Sequence, residues 1–240
     1  MSSNNNVLPW SYSKLSTWEN CRKSYLYRYI HNIRIPPGAS AQRGIDVHKA
    51  CEEFVNGTID ITEFEERLKQ LKCKVSDQIF NYMENLARAH KTLGDGLASK
   101  NDCSETELKI KVDSDFNILS EDAKDYFATF IFDMLIQHGD HIEILDYKTG
   151  KIYEDSHEFQ AAIYAYAIYC ITGINPLVVF IYLDQDTKQL YKFDNSELET
   201  IDKLINESLK QIEEETEFPQ TPDLSKCRWC SYKTMCRGLK

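Results

Sequence analysis

The chain has 240 residues, 42% of them hydrophobic and 28% charged, with a formal net charge of −10. That is long enough to bury a sizeable core, and the acidic balance argues at face value against a nucleic-acid partner. No apolar run approaches the roughly 18 residues of a membrane span, and the opening MSSNNN is unlike a signal or transit peptide, so a soluble, cytoplasmic protein with no membrane partner is expected.

In chain order, residues 11–31 place Leu15, Trp18, Tyr25, Leu26 and Tyr29 at helical spacing, with Cys21 mid-helix. Pro36-Pro37-Gly38 breaks the pattern, and a second helix over 41–55 sets His48 and Glu52 one turn apart before Asn56-Gly57 ends it. Residues 60–93 read as two charged helices burying Leu68, Leu71, Ile79, Tyr82, Met83 and Leu86, closed by Gly94-Asp95-Gly96. A strand over 107–112 precedes two apolar runs, 127–136 and 141–148, joined at Gly139-Asp140 as a β-hairpin. A very apolar helix over 156–172 can cross over to a buried strand over 177–183. A short strand over 189–194, a charged helix over 196–216 and a cysteine-bearing tail complete the chain. The order predicts a mixed sheet flanked by helices, in the α/β (α+β) class.

Each run of the hairpin is interrupted by charge. Asp133 falls in a run that is apolar on both faces, as in a covered central strand, and Asp146 and Lys148 end the second run on one face. An unsatisfied polar group there costs roughly 2–7 kcal/mol, and more if charged. A divalent cation between the two carboxylates would offset that cost, and hard oxygen ligands suit Mg²⁺ or Mn²⁺. The same residues also fit a plain strand-end ion pair between Asp146 and Lys148 with Asp133 hydrogen-bonded. Gln160 and Tyr164 share a helix face, where an amide and a phenol can hold a phosphate or simply pair with each other.

Charge and cysteine are segregated. Residues 10–36 and 225–240 together sum to +9, which leaves −19 for the rest, so a phosphate-binding lobe at the two ends stays open. Cys51, Cys73, Cys103 and Cys170 are scattered and read as buried small hydrophobes, whereas Cys227, Cys230 and Cys236 form C-x2-C-x5-C, a metal-ligating pattern. Trp10, Tyr12, Trp18 and Trp229 lie near those ends as stacking surfaces suited to single-stranded DNA, or as core aromatics.

The series His48, Asp133, Asp146-Tyr147-Lys148-Thr149-Gly150, then Gln160-x3-Tyr164, resembles the RecB-like branch of the PD-(D/E)xK nuclease superfamily. Cys21 with Cys227, Cys230 and Cys236 is similar to its iron–sulfur subgroup, which includes CRISPR-associated and phage exonucleases. The resemblance implies a restriction-endonuclease-like αβββαβ core with added helices, in one nuclease domain over 1–240. Within it, 1–40 and 217–240 would form an iron–sulfur lobe, and 41–216 a core with a helical insertion over 58–100. It implies that His48, Asp133, Asp146 and the Tyr147 carbonyl ligate Mg²⁺ or Mn²⁺ (magnesium or manganese) and that Lys148 acts on the attacking water. Gln160 and Tyr164 would contact DNA or the lysine, and Glu107 matches the placement of a further acidic residue. The four cysteines would hold a 4Fe-4S cluster; Zn²⁺ is the alternative this spacing also permits. One position departs from the family pattern: Phe130 stands three before Asp133, where a small residue is usual.

The expected function is therefore a metal-dependent deoxyribonuclease, an exonuclease, acting on single-stranded DNA or a DNA end. It could work as a homo-oligomer or with other DNA-processing proteins. The alternatives are a catalytically silent DNA-binding or assembly module of the same fold, and a zinc-stabilised interaction protein.

Overall fold

The structure, a computed structural model, describes residues 9–93, 97 and 103–236. The opening MSSNNN, the Gly94-Asp95-Gly96 stop and the last basic residues, Arg237 and Lys240, lie outside the described residues. The helices are α1 Tyr12–Asn20, α2 Arg22–Tyr25, α3 Ala39–Val55, α4 Ile61–Gln70, α5 Asp77–Thr92, α6 Glu154–Thr172, α7 Asn195–Glu214, α8 Leu224–Cys227 and α9 Lys233–Cys236. The strands are β1 Cys103–Val112, β2 Ile118–Leu119, β3 Ala128–His138, β4 His141–Lys148, β5 Leu177–Tyr182 and β6 Thr187–Tyr191. They form one mixed sheet in the order β2-β1-β3-β4-β5-β6. The two-residue β2 and the start of β1 before residue 107 are not foreseen from the sequence. Two compact units divide the chain.

The larger unit spans Pro37–Ile110 and Phe130–Leu198. Its core joins Val47, Cys51 and Phe54 of α3, Phe64 and Leu68 of α4 and Met83 of α5 to Leu145, Tyr147, Val179 and Ile181 of the sheet. Phe54 and Phe64 stack at 4.4 Å with their ring planes parallel. Asp60 caps α4 by accepting from Glu63 N at 2.9 Å, which fixes where that helix begins. β3 and β4 pair antiparallel from Met134↔Leu145 to His138↔His141, and the hairpin turns through Gly139 at φ 57°. β4 and β5 are parallel, with Asp146↔Phe180 and Lys148↔Tyr182, so α6 is the crossover helix. Residues Gln160 to Ile168 of α6 are all buried, and Gly173 ends the helix in a left-handed conformation that suits glycine.

The smaller unit takes the described residues up to Pro36, with Lys111–Thr129 and those from Glu199 onward. Trp10 forms a bridge with Ala128, and Trp18 packs edge-on against Tyr25 and Phe218. The continuous helix expected over 11–31 is broken. Cys21 is extended (φ −168°, ψ 111°) between α1 and α2, and α2 runs on into a π-helical turn over Leu26–Ile30. Apolar spacing continues through the break because Trp18 and Tyr25 still enter one core, so periodicity gave no sign of it.

Two further expectations are corrected. β3 is central in the sheet but not covered on both faces: Ile131 is 55% exposed and the Asp133 side chain keeps 18% of its surface in water. Trp10 and Trp18 are 1% and 2% exposed, core residues rather than stacking surfaces. Of the scattered cysteines, Cys51 and Cys103 are buried as expected, while Cys73 and Cys170 are half-buried.

Candidate functional site

Asp133 owes its direction to an interruption in β3. Phe132 packs edge-on against Tyr164 of α6 at 4.9 Å, yet Met134, two residues on, lies in the core with Val47 and Tyr147. Strict alternation would put both on one face, so the strand slips its pleat at Asp133. Such slips beside active sites re-aim a side chain. Asp133 thereby meets α3: its Oδ1 lies 3.0 Å from His48 Nδ1, and its Oδ2 accepts from Tyr147 N at 2.7 Å.

Asp146 faces α6 instead. Its Oδ1 accepts from Gln160 Nε2 at 3.0 Å and from the Tyr164 hydroxyl at 3.3 Å. Its Oδ2 faces the Lys148 ammonium at 2.5 Å as an ion pair. Lys148 also donates to Gln160 Oε1 at 2.8 Å and rests over the Phe180 ring. Gln160 is thus the bridge. Its oxygen holds the lysine, while its amide holds the aspartate and donates to the Tyr164 hydroxyl at 2.8 Å.

Electrostatics link the set. Burial pushes the Asp146 carboxyl up, Lys148 opposes that, and Asp133 adds to it. Burial pushes His48 down, but its hydrogen bond to Asp133 and the charges of Asp133 and Asp146 outweigh this and raise it. The buried carboxylate therefore demands positive charge. The donor set (imidazole, two carboxylates and the Tyr147 carbonyl) suits a hard divalent cation. Among the described residues no three His, Cys, Asp or Glu side chains are converged as a metal centre. In this arrangement the ammonium of Lys148 and the His48–Asp133 contact balance the carboxylates.

Glu107 is exposed, with a left-handed φ of 47°, and its charge helps to raise Glu52, after burial. Phe130 is 2% exposed and stacked on Phe132, so it is a core residue. A clamp not foreseen from the sequence stands beside the site. Asp184 accepts from Arg43 at 2.6 and 2.9 Å and from Gly150 N at 2.6 Å, so it ties the start of α3 to the turn that follows Lys148. His157, one turn before Gln160, lies 2.9 Å from the Tyr182 hydroxyl, and burial together with the charge of Lys148 lowers it to about 4. Neither group carries a motif signature, because each pairs residues far apart in sequence.

In the smaller unit, Cys21, Cys227, Cys230 and Cys236 line one pocket. Cys21, at the break between α1 and α2, is one of its lining residues. Burial raises the Cys21 thiol, but hydrogen bonds from the backbone of Ser24, Thr221 and Lys23 and from the Ser24 hydroxyl outweigh it and leave the thiol lowered. Gln220 Nε2 donates to Cys227 Sγ at 3.2 Å, and Tyr232 N to Cys230 Sγ at 3.4 Å. Burial raises Cys236, and the charges of Cys21, Cys227 and Cys230 raise it further. Tyr232 donates to Ile33 O at 2.9 Å and so fastens the tail to the N-terminal segment. Four thiols thus line one pocket with donors directed at three of the sulfurs, but in this arrangement they are not converged as a metal centre.

Among curated proteins, no sequence matches this chain. Among solved structures it is similar to a candidate exonuclease from Eubacterium rectale at 12% identity and a TM-score of 0.52, covering 100% of this chain and 92% of that one. It is also similar to the protein SSO0001 at 12% identity and a TM-score of 0.43, covering 95% and 84%. The first likeness supports the fold. A sequence model of the PD-(D/E)XK nuclease superfamily matches residues 9–237, across the aspartate hairpin, α6 and the cysteine segments alike. On that match, the chain belongs to the PD-(D/E)XK nuclease superfamily.

Proposed function

We propose that the chain is a divalent-metal-dependent deoxyribonuclease of the RecB-like branch, acting as an exonuclease from a DNA end and carrying a 4Fe-4S cluster. The observation that carries the catalytic part is the placement of Lys148 at a strand end, bound to both Asp146 and Gln160, beside the His48–Asp133 pair. His48, Asp133, Asp146 and the Tyr147 carbonyl would hold the cation. When bound, a divalent cation supplies Lewis acidity toward the phosphodiester and makes water a better nucleophile. The chain's own residues do the rest. Lys148 presents an ammonium whose N–H groups orient a water or a phosphate oxygen, and Gln160 fixes the reach of that ammonium. Glu107 remains a proposed accessory acid. The cluster reading rests on the pocket of four cysteines and on the donors directed at its sulfurs.

The test uses linear DNA labelled at one end and a covalently closed circle, each with Mn²⁺ and with EDTA. We expect release of short labelled products from the linear substrate, an intact circle, and no hydrolysis in EDTA. Cutting of the circle at the same rate would reject the exonuclease reading. Binding without hydrolysis in any divalent metal would favour the silent module.

The bridging amide makes a separate prediction. Gln160→Glu removes the donor to Asp146 and sets a second carboxylate beside it, so kcat/KM should fall by about 5- to 150-fold, equivalent to roughly 1–3 kcal/mol. Tyr164→Phe removes only the 3.3 Å bond to Asp146 and its acceptor role toward Gln160, and should cost about fivefold. A Tyr164→Phe loss that equals or exceeds that of Gln160→Glu would remove Gln160 from its bridging role.

A further inference from the structure

The segment over 224–236 contains Lys226, Arg228 and Lys233 and no acidic residue, in a chain whose net charge is −10. All three basic residues are exposed. Between Cys227 and Cys230 the chain turns, with Arg228 N bonded to Ser225 O at 3.2 Å and Cys230 N to Cys227 O at 3.3 Å. The cysteines on either side face the thiol pocket, and the turn holds Trp229 outward, 84% exposed. The guanidinium of Arg228 lies over the Trp229 ring, 5.5 Å from its centre. Keeping so large an apolar ring in water is unfavourable, and here the backbone turn imposes it.

We infer that Trp229 is a base-stacking site for single-stranded nucleic acid, with Arg228, Lys226 and Lys233 engaging the adjoining phosphates. An aromatic face offered among cations, with Asp223 beside Lys226 as the acid next to the segment, matches the combination of stacking and backbone charge that single strands require. Bases inside a duplex are already stacked on one another, and only its terminal pairs have a free face to offer. The inference takes its ligand class from the nuclease reading, but binding is measured without hydrolysis, so the two can fail separately.

The probe is a fluorescein-labelled oligo(dT), followed by anisotropy in EDTA with the full chain. Trp229→Ala should weaken binding by about 5- to 150-fold, since stacking on an aromatic is worth roughly that factor per base. It should leave the salt dependence of Kd unchanged, and Trp229→Phe should retain most of the affinity. Arg228→Ala should instead lower the slope of log Kd against log salt by about 0.7. A covalently closed circular duplex of mixed sequence, which has no terminal pair, should bind both Trp229 variants as it binds the unaltered protein. Thermal melting of each variant verifies that the fold is intact. The inference is overturned if the unaltered protein does not bind the oligonucleotide, or if Trp229→Ala binds it equally well. It is also overturned if Trp229→Phe is as weak as Trp229→Ala, or if single strand and duplex lose affinity alike. A variant that changes only sedimentation, and not DNA binding, would assign the surface to a protein partner and likewise overturn it. Absence of cleavage with Mn²⁺, alongside the expected binding pattern, would count against the nuclease reading alone.

Discussion

Lys148→Ala is expected to lower the single-turnover rate of DNA hydrolysis in saturating Mn²⁺ by about 10²–10⁴-fold, the range for removing a positioned proton-transfer or charge-stabilising group. The geometry gives the reason. The ammonium contacts Asp146 at 2.5 Å and Gln160 at 2.8 Å, so the protein fixes its position before any substrate arrives. Lys148→Arg should not rescue the rate, because a planar guanidinium cannot replace a compact ammonium between a carboxylate and an amide oxygen. Asp146→Ala should be at least as damaging, as it removes a proposed ligand and frees both Gln160 and Lys148. Stability must be followed in parallel. The Asp146 side chain is only 5% exposed, and depriving a buried carboxylate of its counter-charge is itself destabilising. Full activity in both alanine variants would sink the catalytic assignment.

The hairpin, the crossover helix and the stop at its end were legible in the sequence because each rests on local signals. These are turn residues at Gly139-Asp140, a continuous apolar run in α6, and Gly173 after it. What escaped depends on packing at long range. The slip in β3 at Asp133 leaves no trace in the pattern of polar and apolar residues, yet it directs one carboxylate to α3 while Asp146 faces α6. The break at Cys21 was hidden by a periodicity that continues through it. The Arg43–Asp184 clamp joins residues 141 positions apart, and neither lies in a motif. Aromatic composition near the chain ends likewise could not separate the buried Trp10 and Trp18 from the exposed Trp229. Local signals thus place the elements more readily than they show how the backbone aims the side chains those elements carry.

The other large effect is expected at the thiol pocket. Protein purified without oxygen should be brown and contain iron and sulfide. Replacing any one of Cys21, Cys227, Cys230 or Cys236 by Ser should bleach it and cost about 4 kcal/mol or more, which lowers Tm by roughly 8–16 °C in a chain of this size. Cys21 is the informative position. It comes from the opposite end of the chain to the other three, and its extended backbone interrupts what would otherwise be one helix. If Cys21 only filled space, Ser would be a mild change there, since Ser24, Lys23 and Thr221 supply donors that a hydroxyl can accept as readily as a thiol. If it is a ligand, the oxygen cannot replace the thiolate, and colour and stability fall together. Cys51→Ser tests whether stability loss alone is diagnostic. That thiol is fully buried in the apolar core of the larger unit, so the change should lower Tm without altering the colour. A colourless anaerobic preparation containing stoichiometric zinc, and still dependent on the same four cysteines, would replace the iron–sulfur reading with a zinc site. A preparation in which Cys21→Ser keeps both metal content and Tm would remove the N-terminal segment from the site altogether.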